Sequence, residues 1–121
     1  MSRPEQPASA VADSALRVTR ERRGDAEVVT VAGEIDMATV EQLRSAVRAA
    51  HETDPRLLVV DLTGVGFLAS TGLGALVEAH ELCGQALRVV AANRAVLRAL
   101  GLVALDRVLV VHPTLDEALS A

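Results

Sequence analysis

The sequence predicts an α/β fold: a mixed, mostly parallel sheet of about five strands, opened by an antiparallel hairpin and accompanied by about four helices. Three observations carry this expectation. Short apolar runs at Leu57–Val60, Leu87–Val90 and Val108–Val111 have the length and β-branched content of buried strands. Stretches with apolar residues three and four apart alternate with those runs, as strand–helix–strand crossovers require. Ahead of both, Arg23-Gly24-Asp25-Ala26 supplies turn chemistry between two alternating stretches, the mark of a hairpin.

Composition bounds what such a chain does. Its 121 residues suffice for one domain and are too few for two ordinary ones. Hydrophobic residues make up 50% and charged residues 23%, the balance of a soluble globular protein. The net charge of −4 argues against nucleic acid as a partner. All 12 basic residues are Arg, which removes Schiff-base chemistry and a phosphate-loop lysine. Cys83, the single cysteine, forms no internal disulfide and no metal site alone, and reads as a small buried hydrophobe. His51, His80 and His112 lack metal-ligand spacing among themselves. No apolar run reaches the ~18 residues of a membrane span, and no signal-peptide pattern opens the chain, so a cytoplasmic location is expected.

Taken in order, residues 1–14 carry Pro4 and Pro7 without apolar periodicity and are expected to form a flexible tail, leaving 15–121 as the domain. Leu16 and Val18 alternate with Arg17 and Thr19 as a first strand, and Glu27–Val31 returns as the second. Asp36 is placed to help cap the next helix. Thr39-Val-Glu-Gln42 has capping-box spacing, and Val40, Leu43, Val47 and Ala50 form that helix's apolar side. Asp54-Pro55 closes the connection to the strand Leu57–Val60. A helix then carries an apolar stripe of Leu73, Leu76, Val77 and His80, with Gly84 just past its end. After the strand Leu87–Val90, Asn93 caps a short helix with Val96, Leu97 and Leu100 on one face, stopped at Gly101. Val108–Val111 is the last strand, and Thr114-Leu-Asp-Glu117 opens a terminal helix with Leu115, Ala118 and Leu119 inward.

The stretch that organises the chain is Asp61-Leu-Thr-Gly-Val-Gly-Phe-Leu-Ala-Ser-Thr-Gly-Leu-Gly-Ala-Leu76. It joins a buried strand to a helix through a loop with two glycines, and Ser70 stands where an N-cap is expected. A hydroxyl at the positive end of a helix is a suitable place for a phosphate. Two further glycines in the first turn, Gly72 and Gly74, cost about 1 kcal/mol each relative to Ala. Close approach of another backbone is one reason to keep them, and packing against the sheet is the other.

This segment resembles the signature of the STAS domain, and specifically that of the small bacterial anti-sigma factor antagonists. The shared features are a strand ending in Asp-Leu, a short loop with a Phe, and a Ser-Ser/Thr-Gly-Leu-Gly helix start. Gly33-Glu34-Ile35-Asp36 resembles the family's Gly-Glu-Leu-Asp element, and the match runs over roughly residues 15–121. The resemblance implies a binding module without catalysis or cofactor, phosphorylated at Ser70, with Thr71 the alternative. Its partner surface would comprise Asp36, Ala69, Ser70, Thr71, Gly72, Leu73 and Gly74. The implied partners are an anti-sigma factor that is also a serine kinase of the histidine-kinase-like ATPase type, and a serine phosphatase. ATP and Mg²⁺ belong to the kinase. No nucleic acid or membrane partner is implied, and the chain is expected to be a monomer or weak dimer. The family commonly has Asp before the phosphorylated serine, where this chain has Ala69, so a poor kinase substrate and a constitutively active antagonist both stay open. Two other roles of such modules, scaffold subunit of a signalling complex and regulatory subunit of a lipid or anion transporter, stand as alternatives.

Two rival chemistries fit worse. Gly64-Val-Gly66-Phe-Leu-Ala69 has the G-x-G-x-x-A form of a dinucleotide fingerprint, but its third small residue precedes the helix instead of packing inside it, and no acidic ribose partner follows the next strand. Ser70, Asp106 and His112 occur in the order of a hydrolase triad, yet Leu68 occupies the first glycine position of the nucleophile elbow. Calorimetric titration with NAD is therefore expected to give no binding heat, and tight binding would restore the fingerprint.

Overall fold

The computed structural model describes residues 16–120, so the tail expected at 1–14 lies outside the described residues. Five strands, β1 (Leu16–Arg23), β2 (Ala26–Ile35), β3 (Leu57–Leu68), β4 (Leu87–Val90) and β5 (Val111–His112), form one sheet in the order β1-β2-β3-β4-β5 among the described residues. The β1–β2 pair is antiparallel and every later pair is parallel. The α-helices are α1 (Val40–His51), α2 (Ser70–Cys83), α3 (Arg94–Leu102) and α4 (Leu115–Ser120). Class, hairpin and mostly parallel sheet are those the sequence predicts.

Alternation along the strands divides the core in two, because successive side chains point to opposite faces. Val29 and Val31 of β2, with Leu58, Val60 and Leu62 of β3, pack with the buried stripes of α1, α2 and α3. Val28, Val59 and Val90 face the other way and are covered by Ala118, Leu115 and Leu119 of α4. Helix α1 buries Val40, Leu43, Val47 and Ala50, the side its periodicity predicts. Asn93 caps α3 through Oδ1, which accepts from the amides of Ala95 and Val96.

Several local expectations are corrected. Strand β3 does not end at Val60. It runs to Leu68 through both glycines, because pairing with β2 continues as far as Ile35 and Leu68. The register slips twice along the way, between Thr30 and Ala32 and between Gly33 and Glu34, so β3 accommodates extra residues as bulges. Buried Asp61 braces the first slip: its Oδ1 accepts from the Thr63 amide at 3.0 Å and from the Thr63 hydroxyl at 2.8 Å. The inward side of α2 is Gly72, Ala75, Leu76 and Ala79, with Leu73 and His80 only partly buried and Val77 exposed. Leu97 is likewise exposed, and α3 continues through Gly101 to Leu102. The run Val108–Val111 contributes only Val111 to β5, since a 3₁₀ turn at Leu105–Arg107 takes up the approach. Thr39 makes no capping bond, whereas Thr114 does accept from the Glu117 amide at 3.2 Å.

Cys83 is half-buried, with Sγ 3.8 Å from His51 Nδ1, and burial raises its thiol pKa above the ordinary value. Burial disfavours the thiolate, so at pH 8 iodoacetamide should label the folded protein more slowly than the urea-unfolded chain. Equal rates would contradict this placement. Leu76 is 1% exposed, and a carboxylate there is uncompensated. Leu76→Asp should lose on the order of several kcal/mol, comparable with the stability of a whole domain, and unfold or melt far below wild type in a thermal scan.

Candidate functional site

The site forms where β2 and β3 leave the sheet side by side. Ile35 and Leu68 are register partners at the ends of these parallel strands, so the residues after them, Asp36 and Ala69, emerge together. The Ala69 amide donates to the Ile35 carbonyl at 2.9 Å, which ties the start of α2 to the end of β2.

The helix start differs from the arrangement the sequence predicts. Ala69, with extended backbone, occupies the N-cap and supplies no side-chain cap. Its carbonyl accepts from the amides of Gly72 at 2.9 Å and Leu73 at 3.1 Å. Ser70 is therefore the first helical residue. Its side chain is exposed and spends no hydrogen bond on capping. The neighbouring Thr71 is the reverse: its hydroxyl oxygen is buried without a partner. Of the two adjacent hydroxyls, Ser70 is the one open to solvent.

The two glycines of this turn serve different ends. A Cβ on Gly72 would lie 2.4 Å from Leu68 Cδ1 and 2.7 Å from Ile35 Cγ2. Gly72 is buried, and its bare backbone lets the first turn of α2 settle onto the ends of both strands. A Cβ on Gly74 would meet nothing within 4 Å. No internal packing accounts for that glycine. Ser70, Gly74 and Val77 recur at i, i+4 and i+7, one outward line of the helix, with Leu73 half-buried beside it.

Asp36 proves to be a local brace. Its Oδ1 accepts from the amides of Ala38 at 2.9 Å and Thr39 at 3.2 Å. Thr39 Oγ1 accepts from the Asp36 amide at 3.0 Å and donates to the Glu34 carbonyl at 2.8 Å. The hydroxyl expected to cap α1 thus fastens the turn that holds Asp36 beside the start of α2. Met37, 81% exposed, escaped the sequence reading, and Phe67, 51% exposed, entered it as part of the signature but not as part of the partner surface. Phe67 is the only aromatic residue of the chain, and exposed Met and aromatic side chains are favoured where proteins meet.

Among the described residues no group of three or more His, Cys, Asp or Glu side chains is placed to hold a metal ion. No described helix is long and apolar enough to cross a membrane. Gly64, paired with Ala32 of β2, and Gly66, the extra residue at the second slip, both lie inside β3, where they cannot form the phosphate turn of a dinucleotide site. The arrangement suits contact with a macromolecule: a small, protruding helix start with one free hydroxyl, a bare backbone one turn on, and apolar side chains at its rim.

Comparison with known proteins agrees with this geometry. Residues 17–118 match the STAS domain family. The anti-sigma-F factor antagonist RsfB of Mycobacterium tuberculosis is 33% identical over 111 residues, covering 90% of this chain and 91% of the relative. The anti-sigma-F factor antagonist RsfA of the same organism is 35% identical over 113 residues, covering 89% and 88%. The crystal structure of an anti-sigma factor antagonist from Mycobacterium paratuberculosis superposes with a TM-score of 0.83 at 38% identity, covering 88% of this chain and 93% of that one.

The paired glycines make a prediction that opposes two small changes. Gly74→Ala should raise stability by up to about 1 kcal/mol through helix propensity alone. Gly72→Ala should lower it, because overpacking costs about 1–3 kcal/mol and outweighs the same gain. Denaturant titration of the two variants should place their midpoints on opposite sides of wild type.

Proposed function

The chain belongs to the STAS domain family, among the anti-sigma factor antagonists, and from that membership we propose that it works as a phosphorylation-controlled partner switch. In its unphosphorylated form it binds an anti-sigma factor that is also a serine kinase of the histidine-kinase-like ATPase type, and so frees a sigma factor. The kinase phosphorylates Ser70 and ends the binding; a serine phosphatase resets it. The module acts in the cytoplasm as a monomer or weak dimer and performs no catalysis, since ATP and Mg²⁺ arrive with the kinase.

The observation that carries this reading is the exposed, uncommitted Ser70 hydroxyl at the first position of α2, one turn from a glycine that packs against nothing. The partner's backbone approaches along Ser70, Gly74 and Leu73, with Ala69 and Asp36 at the edge. Gly72 and Thr71 support that surface from beneath. A phosphate on Ser70 carries about −1.5 to −2 charges and lies at the positive end of a helix, where the fold tolerates it. For a partner packed against Gly74 the same group is a bulky dianion that must be desolvated. A loss of about 3 kcal/mol weakens binding more than a hundredfold. Ala69, in place of the carboxylate common at that position, leaves the kinase one negative charge fewer to meet.

Ser70→Asp and Ser70→Glu should melt near wild type yet fail to capture a purified anti-sigma kinase from the same bacterium. Ser70→Ala should keep binding and take no phosphate. Because Ser70 makes no capping bond, its removal should leave stability within about 0.5 kcal/mol of wild type. Unimpaired capture by Ser70→Asp, or a phosphate mapped by mass spectrometry to Thr71 alone, would contradict the switch at Ser70.

A further inference from the structure

A second surface lies beside the first and is not explained by a phosphorylated serine. The carboxyl end of β3 and the outer side of α3 enclose an open groove of about 520 Å³, lined by Phe67, Leu68, Arg94, Arg98 and Leu102 among others. Leu68 belongs to the core, but two of the apolar members are not spent on it: Leu102 is 79% exposed and Phe67 51%. The walls are fixed in place. Asn93 Nδ2 donates to the Val65 carbonyl at 3.1 Å and its Oδ1 caps α3, while Val96 and Leu100 anchor the helix in the core. A preformed groove of this kind needs little reorganisation to be filled.

Its charges are set against the local physics of the helix. Arg94 is the first residue of α3, where the helix dipole is positive, and no acidic residue accompanies it in that turn. Arg98 follows at i+4, so two like charges stand on one side of the helix. Both are exposed, and neither makes an ion pair among the described residues, whereas Arg44, Arg48 and Arg56 all pair with nearby carboxylates. In a chain of net charge −4, two unpaired guanidinium groups flanking exposed apolar side chains form a local inversion of the surface.

We propose that this groove docks an acidic, amphipathic segment of a partner protein, with apolar side chains over Phe67, Leu68 and Leu102 and carboxylates on Arg94 and Arg98. Charge complementarity selects this occupant. An extended polyanion such as an anionic membrane or nucleic acid would face the acidic remainder of the chain as well as the two arginines, whereas a short segment faces the groove alone. The inference goes beyond the Ser70 switch and does not depend on it.

The test begins with selection of a random 12-residue peptide library, displayed on phage, against the full chain. Enriched peptides should place Asp or Glu three or four residues from Leu, Ile or Phe. Their binding should weaken at least tenfold in both Arg94→Glu/Arg98→Glu and Arg94→Gln/Arg98→Gln, fall in Leu102→Ser, and weaken as salt is raised. Amide shifts in NMR spectra should concentrate at 67–68 and 94–102. Ser70→Asp should bind these peptides like wild type, which separates this result from success or failure of the switch. Enriched peptides that are basic, that shift amides elsewhere, or that bind the arginine variants equally would overturn the proposal, as would absence of enrichment. Arginine-dependent pelleting with phosphatidylglycerol vesicles would replace the peptide with a membrane. Self-association lost in Leu102→Ser would replace it with a second copy of the chain.

Discussion

The contact on which the site depends is the seating of α2 on the paired ends of β2 and β3. At Gly72 the helix backbone comes so near Ile35 and Leu68 that no side chain fits between, and one hydrogen bond from Ala69 to Ile35 closes the seam. Everything exposed at this end takes its position from that seam. Ser70 projects because the residue before it holds the N-cap position and the residue two after it is buried. Asp36 lies beside it because β2 and β3 end in register. A site built on strand ends and a helix start is held more firmly than one on a free loop, which is what the proposed phosphorylation switch requires of it.

Much of this was legible in the chain. The α/β order follows from apolar runs alternating with 3.6-residue periodicity, and the hairpin from Gly24 and its neighbours. The inward stripe of α1 was readable because Val and Leu dominate it. The stripe of α2 was readable only at Leu76, because its other buried positions are Gly72, Ala75 and Ala79. Small residues let a helix approach a sheet closely, and a reading that looks for bulk turns the helix toward Val77. The same bias cut β3 short. Gly64 and Gly66 look like loop residues, yet a strand that carries bulges tolerates them, and a Cβ on Gly64 would lie 3.0 Å from that of Ala32 on β2.

Hydroxyl residues proved ambiguous for a related reason. Thr39, Ser70 and Thr114 all stand at helix starts, but only Thr114 accepts a bond from its own helix. Thr39 instead fastens the Asp36 turn. Ser70 is left free because the Ala69 carbonyl already takes the Gly72 and Leu73 amides. Spacing identifies candidates for a cap, and the competing partners that decide among them are set by the tertiary fold. The family signature singles out Ser70 as the hydroxyl of interest, and the physical reason that this hydroxyl is exposed and uncommitted lies in Ala69, one residue earlier. The rim residues Met37 and Phe67 had no periodic pattern to reveal them, since exposure of a large apolar side chain is a property of the finished surface.

The start of α2, with the Asp36 turn beside it, is the face proposed to meet the anti-sigma factor. Amide hydrogen exchange of the unphosphorylated protein, alone and in complex with a purified anti-sigma factor, tests it most directly. Protection should appear at 36–39 and 69–77 and vanish when Ser70 is phosphorylated. Protection confined to the outer edge of β1 or to α4, with 69–77 exchanging as in the free protein, would contradict it.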